Sequence, residues 1–552
     1  MIRTVNLLLV LILFGNLHGE TSVTFRLNMQ PLIEKNLFSP TKGERLFVRG
    51  SFNAWKGEAF ELTKNADTNI FRGTFNINAN IGDTLEFKFI IKKPEGQIYW
   101  ERRPNPANKN HGNRQVVITS SDVTIPIATF DYDEYIKFPI NFTQKKLQED
   151  FLQMRKVVEE NHPALYDYTA KETLDSLFEH QYKLIDNDLD FNEFYRILST
   201  VLERIGCGHT KLWIPSDYWN IVPKRLFPLK IHFIQDKVFV SGYYSPSSQI
   251  SLGSEIISIN TMPIQEIIKT LKAITSSDGF IQAFKSKTVE KNFSKRYALV
   301  YGYPEIFSIK YVAPGEFTPK ATELLPVAVE VIDKNPVRGS ELSLKLLEQS
   351  NAAILTINTF IYYDQLELFK SFIDSSFETI KKLKTANLII DLRGNDGGDP
   401  FCSSYLLSFI EDKPVPYFAE SYGKYAALAQ PIPLAPNNFK GNLYTLIDGS
   451  GFSTTGHFCA LLKYHQIGTL VGTETGATFT CTGSVHYVDL AHTKLILGTA
   501  RNRRYRIAVE NMDRTRGVVP DYQVESSQND LINGKDTVLE FVLNLIFNNH
   551  WD

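Results

Sequence analysis

The sequence predicts a multidomain α/β protein, and three features support this prediction. The chain has 552 residues, whereas single domains typically have about 100–200. Residues 20–132 contain only short alternating apolar runs, which are typical of β-strands. From about residue 340, apolar strands alternate with helix-length segments. This alternation indicates an α/β core.

The composition is that of a folded protein with nearly balanced charge. Hydrophobic residues make up 43% of the chain, and there are 59 basic and 61 acidic side chains. A nucleic-acid-binding protein would show a basic excess, so we expect no nucleic-acid partner. Beyond the N-terminus no apolar run is long enough to span a bilayer, so we expect no membrane span.

Residues 1–19 have the pattern of a secretory signal peptide. Arg3 supplies a positive start, residues 7–14 form an apolar block too short to span a membrane, and Gly19 is a small residue at the cleavage position. We therefore expect a secreted or periplasmic protein.

The chain has four cysteines, Cys207, Cys402, Cys459 and Cys481. An exported protein permits disulfides between them, and four cysteines allow three pairings. Cysteines this sparse are more often buried small hydrophobic residues. No C-x-x-C pair indicates a metal site, and we predict no metal ligands.

Residues 20–132 are predicted to form a β-sandwich. Trp55 and Trp100 lie in loop-like surroundings rich in glycine and asparagine, where exposed aromatic faces suit stacking on sugar rings. The alternative is that both rings fill the core, because tryptophan is usually mostly buried.

Three segments of this region, residues 50–55, 86–90 and 100–105, resemble the starch-binding type of carbohydrate-binding module. The resemblance implies that Trp55 and Trp100 form one platform for an α-glucan ligand. Sandwich domains also serve as plain spacers, so that alternative stays open.

Residues 133–217 are predicted to form a helical subdomain, because apolar residues recur at helical spacing. It ends in the segment GCGHT, which places His209 between a glycine hinge and a strand. Glycines let a ligand approach the backbone closely. A purely structural histidine is the alternative interpretation.

Residues 218–330 are predicted to form a small β-rich module. The segment LGSEIISIN, followed by PIQEII, resembles a PDZ domain of the bacterial protease-associated kind. The resemblance implies capture of a peptide terminus at a sheet edge. A β-rich insert without a ligand is the alternative.

Residues 340–550 form the predicted α/β core, and it is organised around residues 443–458. There an apolar strand turns through glycines into a helix, which places Ser453 where helix N–H groups are free to stabilise an oxyanion. Gly397 and Gly398 follow another buried strand and suit the same use. The residues that follow these glycines lack the Lys and Ser/Thr of a phosphate-binding loop. The alternatives are a helix cap at Ser453 and a plain glycine turn.

Taken in order, GCGHT, the PDZ-like module, LIIDLRGNDGG, GFSTTGHF, GTETGA and RGVVPDYQV closely resemble the C-terminal-processing (tail-specific) serine peptidase family. The resemblance covers residues 142–547. It implies a ClpP/crotonase-like core, with Ser453 as the nucleophile. It also implies an oxyanion hole formed by Gly397 or Gly398 with the backbone N–H of Thr454, and no metal or organic cofactor.

The residue available as general base differs from the one that is commoner in the family. Many members use a lysine about 25 residues after the serine, where this chain has Thr478. Lys463 lies ten residues along the helix from Ser453, about 15 Å away. The chain instead looks like the tricorn-protease branch, which implies that His209 is the base. His457, one helical turn after Ser453, is a rival.

A catalytic histidine needs an acceptor that orients it. Glu474, in the loop after the strand beside the serine helix, is the first choice. Glu510 is the second, from a Val-Glu-Asn segment similar to one in the tricorn branch.

These inferences predict a secreted serine endopeptidase that cleaves a peptide or protein substrate by acyl transfer. An inactive relative that uses the fold for binding is one alternative. A glycan-processing protein is another, although no pair of carboxylates suited to that chemistry is evident. The third is a scaffold in which the sandwich and the PDZ-like module bind partners.

Overall fold

The computed structural model describes residues 20–34, 37–64, 69–101, 113–125, 127–130, 141–215, 218–223, 225–244, 249–279, 281–333, 342–501 and 503–548. The chain divides into two units, residues 1–137 and 138–552. The predicted signal peptide lies outside the described residues, and the finer domain boundaries stay a prediction. In the described part of the chain, no helix is both long and apolar enough to cross a membrane.

The first unit is built almost entirely of β-strands, as predicted. Hydrogen bonds order the strands β6-β5-β2-β3-β4-β1-β8, with β7 on β5 and β9 on β1. Alternate side chains of β1 and β5, including Phe25, Phe87 and Phe89, form its core. The elements are β1 Glu20–Asn28, α1 Gln30–Glu34, β2 Arg45–Gly50, β3 Glu61–Lys64, β4 Ile70–Asn78, β5 Thr84–Lys92, β6 Ile98–Trp100, β7 Arg114–Val117, β8 Asp122–Thr124 and β9 Ala128–Thr129.

The second unit begins with the predicted helical segment. Its apolar stripes are buried together, as the helical spacing predicted, with Leu147, Phe151 and Phe194 among them. The residues after α4 form the loop that carries His209, and β12 then pairs antiparallel with β26. The elements are β10 Asn141–Phe142, α2 Gln144–Asn161, α3 Lys171–Lys183, β11 Leu189–Asp190, α4 Phe191–Arg204, β12 Lys211–Trp213 and α5 Tyr218–Ile221.

A mainly antiparallel sheet follows, with the strand order β13-β14-β15-β17-β18 and β16 on β15. Strands β13 and β14 pair antiparallel and form a hairpin. Its long helix α7 contacts β13 and α6. The elements are β13 Leu229–Ile234, β14 Lys237–Tyr243, β15 Glu255–Ile259, β16 Met262–Pro263, α6 Ile264–Ala273, α7 Gln282–Tyr301, β17 Phe307–Val312, β18 Lys320–Leu324 and α8 Val329–Asp333.

The α/β core contains a six-stranded sheet in the order β19-β20-β21-β22-β23-β28. All neighbouring strands are parallel except β19 and β20. Side chains on one face pack with α9, α10 and α11, and those on the other face pack with α13. Burial on both faces explains why these strands are continuous apolar runs. The first elements are β19 Leu342–Leu347, β20 Ala352–Ile357, α9 Leu366–Lys382, β21 Asn387–Asp391, α10 Pro400–Ser408, β22 Asn442–Ile447, α11 Thr454–His465 and β23 Thr469–Gly472.

The last part of the chain adds short strands around this core. Strands β24 and β27 pair with each other, and β26 lies between β12 and β25. Strand β24 thereby reaches the loop that carries His209, since the Cys207 sulfur is hydrogen-bonded to the Thr482 hydroxyl at 2.8 Å. The elements are β24 Thr480–Thr482, β25 His486–Asp489, β26 Ile496–Thr499, β27 Arg504–Arg506, β28 Tyr522–Gln523, α12 Gln528–Asn533 and α13 Thr537–Asn548.

Candidate active site

Ser453 lies at the turn between β22 and α11, as predicted. Its backbone has φ 53° and ψ −122°, a conformation that costs a non-glycine residue about 1–3 kcal/mol. Its side chain makes no capping hydrogen bond to the helix. The helix-cap interpretation is therefore wrong, and the strained backbone places the hydroxyl outside the regular helix.

The glycine loop after β21 packs directly against this turn. A Cβ atom on Gly397 would lie 2.9 Å from Ser453 Cβ and 3.0 Å from the Thr454 nitrogen. Thr454 Oγ1 donates a hydrogen bond of 2.6 Å to the Gly398 carbonyl. The close approach requires glycine, and it brings the backbone of two loops together beside Ser453.

The two predicted glycines differ in what their N–H groups do. The Gly397 N–H donates to Asn395 Oδ1 at 2.9 Å. Among the hydrogen bonds of the described residues, none uses the N–H of Gly398 or of Thr454. The pair available for an oxyanion is therefore Gly398 with Thr454, and Gly397 is engaged elsewhere.

Asn395 is a buried residue whose role the sequence did not reveal. Its Oδ1 also accepts a hydrogen bond from Thr455 Oγ1 at 2.8 Å, and its Nδ2 donates to the Ile357 carbonyl at 2.9 Å. This one side chain links the glycine loop, the start of α11 and β20. In the sequence, only its position in the segment RGNDGG could have indicated this linking role.

His209 lies beside the serine turn without a hydrogen bond to Ser453. Its half-buried ring packs on Phe452, with the ring centroids 4.5 Å apart. The buried Nδ1 atom has no hydrogen-bond partner. The Ser453 side chain interacts instead with the Cys481 thiol. The structure thus brings the His209 ring into contact with Phe452, the residue that precedes Ser453 in the chain.

The surroundings of His209 favour its neutral form. Burial, with a smaller contribution from the nearby Lys211 and His457, lowers the pKa of the imidazole to about 3. At neutral pH the ring is therefore unprotonated, which is the state that a general base requires.

Asp278 is the carboxylate that the structure brings to His209. One ring nitrogen of His209, the Cys207 sulfur and an Asp278 carboxylate oxygen all lie within 4.8 Å of one another. Asp278 Oδ1 accepts from the Gly208 N–H at 2.7 Å, whereas the buried Oδ2 has no partner. Burial raises the pKa of this carboxyl to about 7. No local sequence pattern marks Asp278, because its approach to His209 is a tertiary contact.

The two predicted acceptors are placed differently. Glu474 accepts from the Gly517 N–H at 2.8 Å and from Arg516 at 2.9 Å, and no hydrogen bond of the described residues joins it to His209. The structure therefore does not bring Glu474 to the histidine. Glu510 is exposed.

The alternative bases are engaged in other contacts. Lys463 pairs with Asp521 at 2.5 Å near the far end of α11. His457 is buried under the helix with its ring edge-on to Phe418 at 6.2 Å, and burial lowers its pKa to about 3.

In the first unit, the structure brings Trp55 and Trp100 together. Their ring centroids lie 6.3 Å apart at an interplanar angle of 46°. Trp100 is 38% exposed, and the Arg49 guanidinium lies 5.5 Å from its ring centroid. The core-filling alternative does not fit Trp100. Residues 102–105 of the resembling segment lie outside the described residues.

Comparison with known proteins identifies a family that the α/β core matches. Residues 351–524 match Peptidase family S41. Mature CPAF has a similar fold, with a TM-score of 0.51 and 15% identity over 73% of this chain and 98% of that chain. Mature CPAF complexed with lactacystin has a TM-score of 0.52 and 14% identity over 74% of this chain and 99% of that one. No curated protein sequence matches the chain. The match over residues 351–524 supports the conclusion that the protein is a serine-type peptidase.

Proposed function

We propose that this protein is an endopeptidase in which Ser453 is the nucleophile and His209 the general base. The observation that carries the proposal is the strained backbone of Ser453, which packs against the loop of Gly397 and Gly398. No hydrogen bond of the described residues uses the N–H of Gly398 or of Thr454. The neutral His209 ring lies beside the same turn. This arrangement suits acyl transfer, because a nucleophile, a base and an oxyanion site converge.

The proposed reaction has two halves. Ser453 Oγ attacks the peptide carbonyl carbon while its proton passes to a ring nitrogen of His209. The carbonyl oxygen becomes an oxyanion, which the N–H groups of Gly398 and Thr454 stabilise. The C–N bond then breaks, and His209 protonates the leaving amine. Water releases the acyl group by the same steps in reverse, and Ser453 regains its proton.

The reaction requires the Ser453 hydroxyl to turn from Cys481 towards His209. Both the Cys481 thiol and the histidine ring flank the serine turn. Catalytic hydrogen bonds are often long or absent in a free enzyme and form when substrate binds. We infer that the substrate shifts the hydroxyl from the sulfur to the imidazole.

Asp278 is the positioning residue for His209 in this proposal, in place of Glu474. One of its carboxylate oxygens lies within 4.8 Å of a ring nitrogen of His209, and both residues have a buried polar atom without a hydrogen-bond partner. Loss of the carboxylate in a related Ser-His-Asp site lowers kcat about 10⁴-fold. We expect Asp278→Asn to lower kcat by about 10²–10⁴-fold with little change in KM, and to shift the acidic limb of the pH–rate profile. In the matched variant Glu474→Gln, kcat should stay near the wild-type value. The reverse result would assign the orienting role to Glu474.

Labelling with a fluorophosphonate tests the proposed nucleophile. We expect a covalent adduct that peptide mapping places on Ser453, because an activated serine attacks the phosphorus as it attacks a carbonyl. Ser450→Ala, a change in the same turn, should still be labelled, whereas Ser453→Ala should not. A folded wild-type protein that gives no adduct would favour the inactive binding-protein alternative.

We propose that residues 20–132 are a β-sandwich that binds an α-glucan through Trp55 and Trp100. We expect maltoheptaose to bind the full chain with a Kd of about 10 μM to 1 mM, because a small site must offset the entropy lost on binding. Trp55→Ala and Trp100→Ala should each abolish the heat signal in calorimetry. The control Tyr99→Ala should retain it, since neighbouring residues of a strand point to opposite faces. If glucan binding survives both tryptophan substitutions, residues 20–132 are better explained as a structural spacer.

We further propose that the protein is exported after removal of residues 1–19. We also propose that residues 218–330 are a PDZ-like module. The apolar block at residues 7–14 supports export. The mainly antiparallel order of β13 to β18 supports the module. N-terminal sequencing of protein recovered outside the cytoplasm should begin near Glu20, and an uncleaved chain that stays inside the cell would contradict export.

A further inference from the structure

We propose that Cys207, His209 and Asp278 form a Zn²⁺ site through which the ion inhibits the peptidase. The inhibition rests on the proposed role of His209 as the base. The binding of the ion rests only on the geometry of the three side chains, so the two statements can be tested separately.

The three side chains supply sulfur, nitrogen and oxygen, a set of ligands that zinc accepts in proteins. One donor atom of each lies within 4.8 Å of the others. Ligands of a tetrahedral zinc ion are roughly 3.3–3.7 Å apart, given metal–ligand bonds of about 2.0–2.3 Å. A closure of roughly 1 Å would therefore suffice to coordinate the ion.

The backbone already holds the two loops together. The Gly208 N–H donates to Asp278 Oδ1 at 2.7 Å, and the Gly279 N–H donates to the Gly206 carbonyl at 2.9 Å. The Thr482 hydroxyl bonded to the Cys207 sulfur, at 2.8 Å, orients the third donor. Such outer contacts fix metal ligands in place before the ion arrives.

Two of the three residues have a buried polar atom without a hydrogen-bond partner. Asp278 is 3% exposed, and its Oδ2 has no partner. The buried Nδ1 of His209 also has none. Buried polar atoms are nearly always paired in folded proteins, so two such atoms in one cluster indicate a missing ligand.

A small cavity adjoins the cluster and offers a position for one ion or one water. It has a volume of about 20 Å³, and two of the three proposed ligands, Cys207 and Asp278, line it, whereas His209 does not. One water needs about 10–15 Å³ of such space, so the cavity admits a single small occupant.

Two cations near the site limit the affinity. Lys211 interacts electrostatically with Asp278, and Arg504 lines the cavity while pairing with Asp167. The charge of the zinc ion itself is compensated on binding. The S–H bond of Cys207 breaks, a Zn–S bond forms and the proton leaves to solvent. The thiolate and the Asp278 carboxylate together neutralise the ion. Sulfur and imidazole ligands favour Zn²⁺ over Mg²⁺ and Ca²⁺.

Zinc bound in this way would block catalysis directly. The ion occupies a lone pair of His209 and displaces the ring from the position in which it receives the Ser453 proton. It also occupies the carboxylate of the positioning residue. We therefore expect reversible inhibition that a chelator relieves.

Binding is tested with Co²⁺ as a spectroscopic probe on the full-length protein, both wild type and Ser453→Ala. We expect a thiolate-to-cobalt charge-transfer band in the near ultraviolet that Zn²⁺ abolishes. Cys207→Ser should remove the band and weaken binding by more than about 100-fold, a larger loss than outer-shell changes cause. The control Cys402→Ser, a buried cysteine on α10, should keep both. Absence of the band in the wild type, or its persistence in Cys207→Ser, would overturn the site.

Inhibition is tested separately by measuring peptide cleavage with Zn²⁺ and then with excess chelator. We expect loss and full recovery in the wild type, and at least a tenfold weaker zinc response in Cys207→Ser. If that variant fails to fold, Asp278→Asn takes its place in the cobalt experiment. A cobalt band in a protein whose cleavage is insensitive to zinc would overturn the inhibitory role alone. A cobalt band in a protein without any cleavage would contradict the proposed function, and the metal site would stand.

Discussion

Ser453→Ala is expected to abolish peptide cleavage and leave the protein folded. Loss of a serine nucleophile lowers kcat by about 10⁴–10⁶-fold, because the oxyanion hole alone supplies only a small part of the rate enhancement. The serine makes no capping hydrogen bond, so its removal should change the free energy of unfolding by less than about 1 kcal/mol. Cleavage of a fluorogenic peptide and thermal unfolding measure the two effects.

A second substitution at this position separates catalysis from backbone strain. Ser453→Gly should be equally inactive but more stable than Ser453→Ala, by about 1 kcal/mol, because glycine adopts φ 53° without a steric penalty. The control Ser450→Ala should cleave the peptide normally. Turnover close to that of the wild type in folded Ser453→Ala would show that Ser453 is not the nucleophile.

His209→Ala is expected to lower kcat by about the same factor as Ser453→Ala, and the double variant should be no worse than either. Residues that act as one catalytic unit are strongly non-additive in this way. The imidazole is neutral at physiological pH and lies beside the serine turn, which suits the transfer of the serine proton. The measurement is kcat for all three variants on one peptide substrate.

Lys211 and His457 are the matched controls for the base. Burial lowers the pKa of Lys211 to about 8, so a neutral lysine is the rival chemistry. His457 is enclosed beneath α11, and its loss should act on stability more than on kcat. A severe loss of kcat in folded Lys211→Ala, with His209→Ala close to the wild type, would assign the proton transfer to the lysine.

The sequence by itself determined the peptidase core almost to the residue. The sequence predicts one strand before Ser453 and another before Gly397, and β22 Asn442–Ile447 and β21 Asn387–Asp391 lie at these positions. The strong signal has a physical cause. Parallel strands covered by helices on both faces must be apolar throughout, and glycines must follow where the chain turns sharply. The same local rules placed Ser453 at the start of a helix.

Only the tertiary structure decided how the site is completed. Asp278, rather than Glu474, is the carboxylate beside His209, and Gly398, rather than Gly397, has the free N–H. The Ser453 side chain interacts with the Cys481 thiol, and no hydrogen bond of the described residues joins it to His209. These contacts join residues far apart in the chain, and they depend on which loops the packed core brings together. Local periodicity and turn chemistry carry no information about that arrangement, because each of these loops is compatible with many partners until the core is folded.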